Sequence, residues 1–298
     1  MKRPRRGSAL LIVLVMLGFV SVLAAVIGRV VSGTAVDLAT AINADRTVIG
    51  TEAGLAIAGA LVAAAGESEE GAELGGQTLR LEGMTVAVGI TNERARIDLN
   101  GSPPELLSGL FRALGVEGET ADTLAARIVD FRDADDDTEP NGAEEAAYRQ
   151  AGRPAPRNGP FVHPFELVAV LGIDARLAAR AFPYVTVGNP AGHVDPFVAD
   201  AVVLNSLPGT TPGRIEEFLE DRMLGTTGRD AALLQLGVDE ELVTEEVAPG
   251  FRAEIVVTPD GGRPHRSEAV LVAGDDRRPY RVLYVLDEMA LAALAPGG

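Results

Sequence analysis

The sequence predicts an α+β protein in which a long N-terminal helix packs on an antiparallel sheet and a large all-α domain is inserted between the strands. Three observations predict this class. A helix-patterned segment without proline occupies residues 8–65, alternation typical of strands occupies 77–100 and 251–286, and the chain between is dense in Ala, Leu, Arg and Glu. The boundaries we expect are a leader at 1–7, a membrane-spanning helix at 8–28, a sheet domain at 29–100 and 249–298, and the inserted helical domain at 101–248.

Composition excludes several classes of function. The 298 residues are 47% apolar and 23% charged, with 26 basic and 43 acidic residues and a formal net charge of −17. The apolar fraction is enough for a hydrophobic core. The negative net charge is the opposite of the positive charge typical of proteins that bind duplex nucleic acid. The chain contains no cysteine, which excludes disulfides, zinc–thiolate sites, iron–sulfur clusters and thiol catalysis.

The N-terminus has the pattern of a membrane anchor. Four of the first six residues are cationic, and the 20 residues from Ser8 to Ile27 carry no charge. As a helix these 20 residues span about 30 Å, the thickness of the hydrocarbon core. The cationic cluster should stay cytoplasmic, with the remainder of the chain outside. A short basic peptide ending in Gly7 before Ser8 is typical of a prepilin-like leader, and a plain uncleaved anchor is the alternative.

The helical pattern continues beyond the membrane segment. Apolar residues at helical spacing alternate with polar ones up to the turn signals that begin near Gly66. One helix from Ser8 to Ala65 is roughly 87 Å long. A soluble coiled coil is the alternative, and the uncharged first 20 residues argue against it.

Two blocks of strands flank the helical insertion. Residues Leu79, Leu81, Met84, Val86 and Val88 come close to a period of two. Three further strands are predicted over 251–286, with turns at 259–262 and 274–276.

The insertion contains three similar pieces, at 97–133, 163–187 and 193–222. Each has a proline or polar cap, a leucine-rich helix, a turn with glycine and a second helix. The pattern is typical of helix-hairpin-helix or sterile-alpha-motif-like units. Such units often bind duplex phosphates through turn amides, so a membrane-anchored DNA-uptake protein is an alternative function. The acidic charge favours helical packing modules instead.

An acidic stretch at 130–145 predicts a site for a hard cation. If Asp133 is position 1, oxygen side chains recur at positions 3, 5, 7, 9 and 12, the spacing of a calcium loop; they are Asp135, Asp137, Glu139, Asn141 and Glu144. Thr138 stands where the usual glycine would be, so a standard EF-hand is not expected. A solvated acidic loop is the alternative.

Enzyme motifs are absent from the sequence, and an extracytoplasmic hydrolase acting through paired carboxylates is the third hypothesis for the function of the chain.

Several stretches in combination resemble the minor pseudopilin K family of the bacterial type II secretion system. They are RRG-SALLIVLVMLGFV at the N-terminus, ARIDLN (95–100), IVDFRDADDD...NGAEEAAY (128–148), RNGPFVHPFELVAVLGI (157–173) and the C-terminal strand block. The chain departs from the family pattern at Phe131, where the family has Trp, and at Glu145, where it has Asp. A later family segment appears only in degraded form at 194–202.

The resemblance implies a type IV pilin-like fold with a helical insertion that binds Ca2+. The family-matched ligand candidates are Asp133, Asp135, Asp137, Glu144, Glu145 and Asn158, with Asp130 as a weaker one. It further implies cleavage by prepilin peptidase after Gly7, methylation of Ser8, and a single-pass inner-membrane protein with a periplasmic bulk. The implied partners are pseudopilins I and J, and the secretin or exported cargo at the filament tip; nucleic acid and catalysis are not expected. Ile12 stands at mature position 5, where most pilins have glutamate, which fits a tip subunit.

Overall fold

The computed structural model describes residues 6–66, 76–225, 228–244, 246–275, 277–287 and 290, and in the first helix it describes only the backbone at 6–12, 26–28 and 30–39. The predicted leader at 1–7 and the turn region after Gly66 lie largely outside the described residues.

Helix α1 (Arg6–Gly66) is continuous for 61 residues, as the proline-free sequence predicts. Its length is about 90 Å. The apolar stretch Val13–Ala25 is exposed throughout and lies within the uncharged segment that predicts the anchor. Thr40–Ala65 is also long and apolar enough to cross a membrane, but a third of its most apolar 18 residues is buried within the protein. The exposed N-terminal stretch fits a membrane anchor.

The strands are β1 (Gln77–Leu81), β2 (Met84–Asn92), β3 (Ile97–Asp98), β4 (Val185–Thr186), β5 (Gly250–Pro259), β6 (His265–Asp275) and β7 (Arg278–Leu286). Five of them form an antiparallel sheet in the order β1-β2-β5-β6-β7. The period-two pattern of Met84, Val86 and Val88 is confirmed, since these side chains are buried while their neighbours are less so. The remaining two strands form a short parallel pair, β3–β4; β4 lies inside the stretch that the sequence indicates as helical.

The second half of α1 packs closely on this sheet through glycine. A Cβ at Gly50 would lie 2.5 Å from Val257 Cγ1, and a Cβ at Gly54 would lie 2.5 Å from Ile255 Cγ2. Both distances are too short for a real contact, so the two glycines, one helical turn apart, let the helix approach β5. The core between α1 and the sheet contains Ala58, Val62, Val86, Val88, Ala253 and Leu271, all buried.

The chain between β2 and β5 forms the helical insertion. Its helices are α2 (Pro104–Ala113), α3 (Gly118–Arg132), α4 (Glu145–Gln150), α5 (Ala175–Ala181), α6 (Ala201–Leu204), α7 (Pro212–Leu224) and α8 (Arg229–Leu236). The first predicted piece is the hairpin α2–α3 and the third is α6–α7. The second differs from the prediction, because it starts with a 3-10 turn at Pro164–Ala169 that precedes α5. One apolar cluster, separate from that of the sheet, unites the insertion.

The insertion rests on the sheet through an aromatic contact and a buried group of charges. Phe165 and Phe182 pack on Val270, Tyr284 and Leu286 of β6 and β7. We call this contact the junction.

Beside the junction, the guanidinium of Arg252 on β5 forms ion pairs with Glu93 at 2.9 Å and with Glu268 at 2.7 Å. Arg96 contacts Glu93 at 3.0 Å. Burial alone would raise the pKa of Glu93, but the guanidiniums of Arg252 and Arg96 outweigh it and hold that pKa below its usual value. Arg252 stays charged, since its pKa is raised by Glu93 against the effect of burial.

Candidate metal centre

The acidic loop between α3 and α4 is shaped by Asp130, which lies near the end of α3. Its buried carboxylate accepts the backbone N–H of Glu139 at 3.2 Å and that of Ala143 at 2.6 Å. Gly142 lies so close that a Cβ there would overlap Asp130 Oδ2. Asp130, a weaker ligand candidate from the sequence, thus has its oxygens engaged in holding the loop together.

Three side chains of the loop region carry buried oxygens without a hydrogen-bond partner. They are Asp133 Oδ1, both carboxylate oxygens of Glu144, and Asn158 Oδ1. Asp133 is the last residue of the turn that closes α3, and Glu144 is the residue before α4, where its side chain makes no capping bond. Because most buried polar atoms in proteins are paired, and an unpaired one is costly, these oxygens are suited to accept a hydrogen bond or to bind a cation.

The side chain of Asn158 is oriented by its amide nitrogen. Nδ2 donates to the carbonyl oxygen of Asp135 at 3.0 Å and to Asp136 Oδ1 at 2.9 Å. The residue has a φ of +47°, in the left-handed region that asparagine tolerates better than most residues. With its nitrogen engaged in this way, Asn158 presents Oδ1 as an acceptor.

Burial and mutual repulsion both disfavour the charged forms of the carboxylates in this loop. Burial raises the pKa of Glu144 to about 7, and the nearby carboxylates of Asp130 and Asp133 add to the rise. Burial also raises the pKa of Asp133, with Asp135 and Asp130 contributing. A cation bound between these groups would favour their charged forms and reverse both shifts.

The remaining predicted ligands are arranged differently. Asp135 Oδ1 accepts the backbone N–H of Asp137 at 2.9 Å, and the Asp135 and Asp137 side chains are exposed. Glu145 is exposed and pairs with Arg149 one helical turn on. Among the described residues, no group of three His, Cys, Asp or Glu side chains is gathered as a metal site. The unpartnered buried oxygens belong to the carboxylates of Asp133 and Glu144 and to the amide of Asn158. A ligand role for Asp135, Asp137 and Glu145 stays a prediction.

These residues fit a hard cation by their chemistry. Carboxylate and amide oxygens are the ligands that Ca2+ takes, usually six to eight in number. Asp133, Glu144 and Asn158 would supply side-chain oxygens, and the remaining positions would fall to backbone oxygens or water. Sequence reasoning did not single out Asp136, the residue that orients Asn158, because nothing in a run of three aspartates distinguishes it.

An aromatic pair supports the site from the interior. Phe131, beside Asp130, and Phe161, three residues after Asn158, stack with their ring centroids 4.8 Å apart. Both are buried. The pair joins the end of α3 to the segment that carries Asn158, so the two sides of the site are packed on one another.

Comparisons with known proteins agree with the resemblance seen in the sequence. Residues 91–190, which include the whole acidic loop and Asn158, match the family model T2SSK_1st, described as type II secretion system (T2SS), protein K. A chain of the crystal structure of the GspK-GspI-GspJ complex from the enterotoxigenic Escherichia coli type 2 secretion system superposes with a TM-score of 0.58 at 18% sequence identity. The superposition covers 80% of this chain and 94% of that chain. No curated protein sequence matches this one.

Proposed function

From the type II secretion protein K domain that this chain carries at residues 91–190, we propose that it is a minor pseudopilin, a structural subunit of the filament that exports proteins across the outer membrane. The observation that carries this proposal is the protein K match. The fold is consistent with it, since an apolar helix is joined to an antiparallel sheet and a helical insertion. In this role the chain assembles with other subunits and performs no catalysis.

The export role can be tested in the bacterium that encodes the chain. Deletion of its gene should leave the substrates of type II secretion in the periplasm, and the full chain supplied in trans should restore their export. Normal export by the deletion strain would contradict the role.

We propose pseudopilins I and J as partners, because a structural relative of this chain belongs to a complex of GspK, GspI and GspJ. The second half of α1 offers a surface for them. Val48 and Ile49 are 59% and 55% exposed, although they lie beside Gly50 on a helix that packs on the sheet. Apolar side chains this exposed on a helix suit packing against a partner helix.

The N-terminal features lead to a proposed location and processing. The cationic residues before Gly7 favour a cytoplasmic N-terminus, and a periplasmic location of the sheet and the insertion would follow from it. Prepilin peptidase would cleave after Gly7, and Ser8 would be methylated. Mass spectrometry of the protein purified from its host would detect a mature chain that starts at methylated Ser8; an intact Met1 terminus would contradict processing.

We propose that Asp133, Glu144 and Asn158 bind Ca2+ as a structural ion that fastens the acidic loop. The buried oxygens without a hydrogen-bond partner on these three side chains support this. Calorimetric titration of the full chain in detergent should show saturable Ca2+ binding and a calcium-dependent rise in melting temperature. Glu144→Gln is expected to weaken binding by about tenfold or more, because it removes a charged ligand.

The matched control for that variant is Glu139→Gln, which neutralises an exposed carboxylate of the same loop. It should leave the affinity for Ca2+ nearly unchanged. Equal losses in the two variants would mean that the loop attracts cations only through its net charge, and the proposed site would be wrong.

A further inference from the structure

His163 lies at the junction between the helical insertion and the sheet. It precedes the 3-10 turn Pro164–Ala169, and its Nδ1 accepts the backbone N–H of Phe165 at 2.9 Å. An imidazole can accept at Nδ1 only while that nitrogen carries no proton. The cap of this turn therefore requires neutral His163.

The imidazole ring is enclosed by aromatic rings from both sides of the junction. Its centroid lies 4.3 Å from that of Tyr284 on β7 and 4.9 Å from that of Phe165, with which it stacks at 11°. Phe182, at 6.4 Å, completes the group. His163 is thus the polar member of an otherwise apolar contact between the insertion and the sheet.

The charged groups around the ring act on its charge in opposite directions, and burial is the main effect that favours the neutral form. From β5, the buried guanidinium of Arg252 disfavours a charged ring and donates to Tyr284 Oη at 3.3 Å. The carboxylates of Glu93 and Glu268 are already paired with Arg252. On its own turn, Glu166 is the attractive group, but its carboxylate accepts from Arg157 and from the N–H of Val162.

We propose that His163 is a proton-sensitive latch. Its neutral form holds the helical insertion on the sheet, and its protonation in mildly acidic solution loosens that contact. Protonation converts Nδ1 into a donor that points at the N–H of Phe165, and it adds a positive charge beside Arg252. Both effects act on the 3-10 turn and on the contact with β7, and neither involves the acidic loop.

The direction of the pH dependence follows from the same surroundings. Burial lowers the pKa of His163; Glu166 opposes this with a smaller effect, and Arg252 adds a still smaller lowering. An unfolded histidine has a pKa of about 6.5. The stabilisation is therefore complete above pH 6.5 and is lost as the pH falls from 6.5 towards the lower pKa of the folded state.

Hydrogen exchange of the full chain in detergent micelles, with chelator present throughout, tests the latch. After correction for the intrinsic pH dependence of exchange, peptides covering 163–170 and β7 should exchange about threefold to tenfold faster at pH 5.5 than at pH 7.5, the range expected for the loss of one buried hydrogen bond. In His163→Asn, whose side chain can still cap the turn but does not titrate in this range, the response should vanish. His265→Asn, at the start of β6, should respond as the native chain does.

Two results would overturn the proposal: no pH response of these peptides in the native chain, or an undiminished response in His163→Asn. Should that variant fail to fold, NMR titration of the native histidines decides the question. The ring of His163 must then titrate below about pH 6.5, and titration at or above that value would exclude the latch.

Discussion

Glu93 and Arg252 form a two-point ion pair, with Nε to Oε1 at 2.9 Å and Nη2 to Oε2 at 3.1 Å, at the place where the chain leaves the sheet for the helical insertion and returns to it. Glu93 directly follows β2, and Arg252 lies near the start of β5. Such fork-to-fork geometry is the strong form of a charged hydrogen bond. The pair therefore ties the two ends of the insertion to one another.

Removal of one member of this pair is expected to be severe. Glu93→Ala leaves the buried guanidinium of Arg252 without its main partner, which should lower the free energy of unfolding by about 3–5 kcal/mol. Chemical denaturation of the full chain in detergent, followed by circular dichroism, measures this change.

A control is provided by an ion pair of similar length at the surface. Arg80 and Asp260 lie 2.7 Å apart with 62% and 50% of their side chains exposed. Asp260→Ala should cost no more than about 1 kcal/mol. Similar losses in both variants would show that burial does not set the strength of the Glu93–Arg252 pair.

The acidic loop should give the calcium-free protein an unusual pH dependence. The pKa of Glu144 is raised to about 7 in the folded chain, above the ordinary value for a glutamate. The folded state then binds more protons than the unfolded state between about pH 4.5 and 7, so this group destabilises the fold as the pH rises through that range. Thermal melting in chelator should show this trend in the native chain relative to Glu144→Gln.

Excess Ca2+ should reverse the trend, because the ion binds the deprotonated carboxylate and is held more tightly at higher pH. The comparison with Glu144→Gln is essential, since His163 acts in an overlapping pH range with the opposite sign. A native chain whose melting temperature follows that of Glu144→Gln at every pH would contradict the raised pKa.

The close approach of Gly142 to Asp130 yields a further prediction. Gly142→Ala inserts a methyl group that overlaps Asp130 Oδ2, so the carboxylate must move away from the amides of Glu139 and Ala143. We expect a stability loss of about 1–3 kcal/mol together with weaker Ca2+ binding. Gly213→Ala on α7, where a Cβ meets nothing within 4 Å, is the matched control and should be neutral within about 0.5 kcal/mol. An unchanged Ca2+ affinity in Gly142→Ala would indicate that Asp130 does not shape the site.

Local patterns predict much of this fold. The helix α1 follows from the absence of proline and from helical spacing, and the buried positions of β2 follow from alternation at Met84, Val86 and Val88. These signals depend on neighbours in sequence. The strand β4 and the 3-10 turn after His163 could not be predicted in the same way, because each is set by contacts with distant residues.

The candidate metal site, like the fold, is only partly predictable from the sequence. Spacing alone brings Asp133 and Glu144 into one loop, and the family resemblance adds Asn158, which lies outside any loop-length pattern. No sequence signal separates the exposed Asp137 from the buried Glu144, or indicates that Asp136 orients Asn158. Those distinctions depend on how α3, α4 and the segment around Phe161 pack in three dimensions.

Assembly with pseudopilins I and J of the same bacterium is the most direct test of the central claim. Co-expression of the three full chains, detergent extraction and affinity purification through this chain should recover a stable complex of all three. Paired substitution of Val48 and Ile49 by glutamate should weaken recovery at least about tenfold, since it places charges on the exposed apolar surface of α1. Met223→Glu, at a still more exposed apolar position of the insertion, should not. Failure of the native chain to recover either partner would contradict its assignment as a minor pseudopilin.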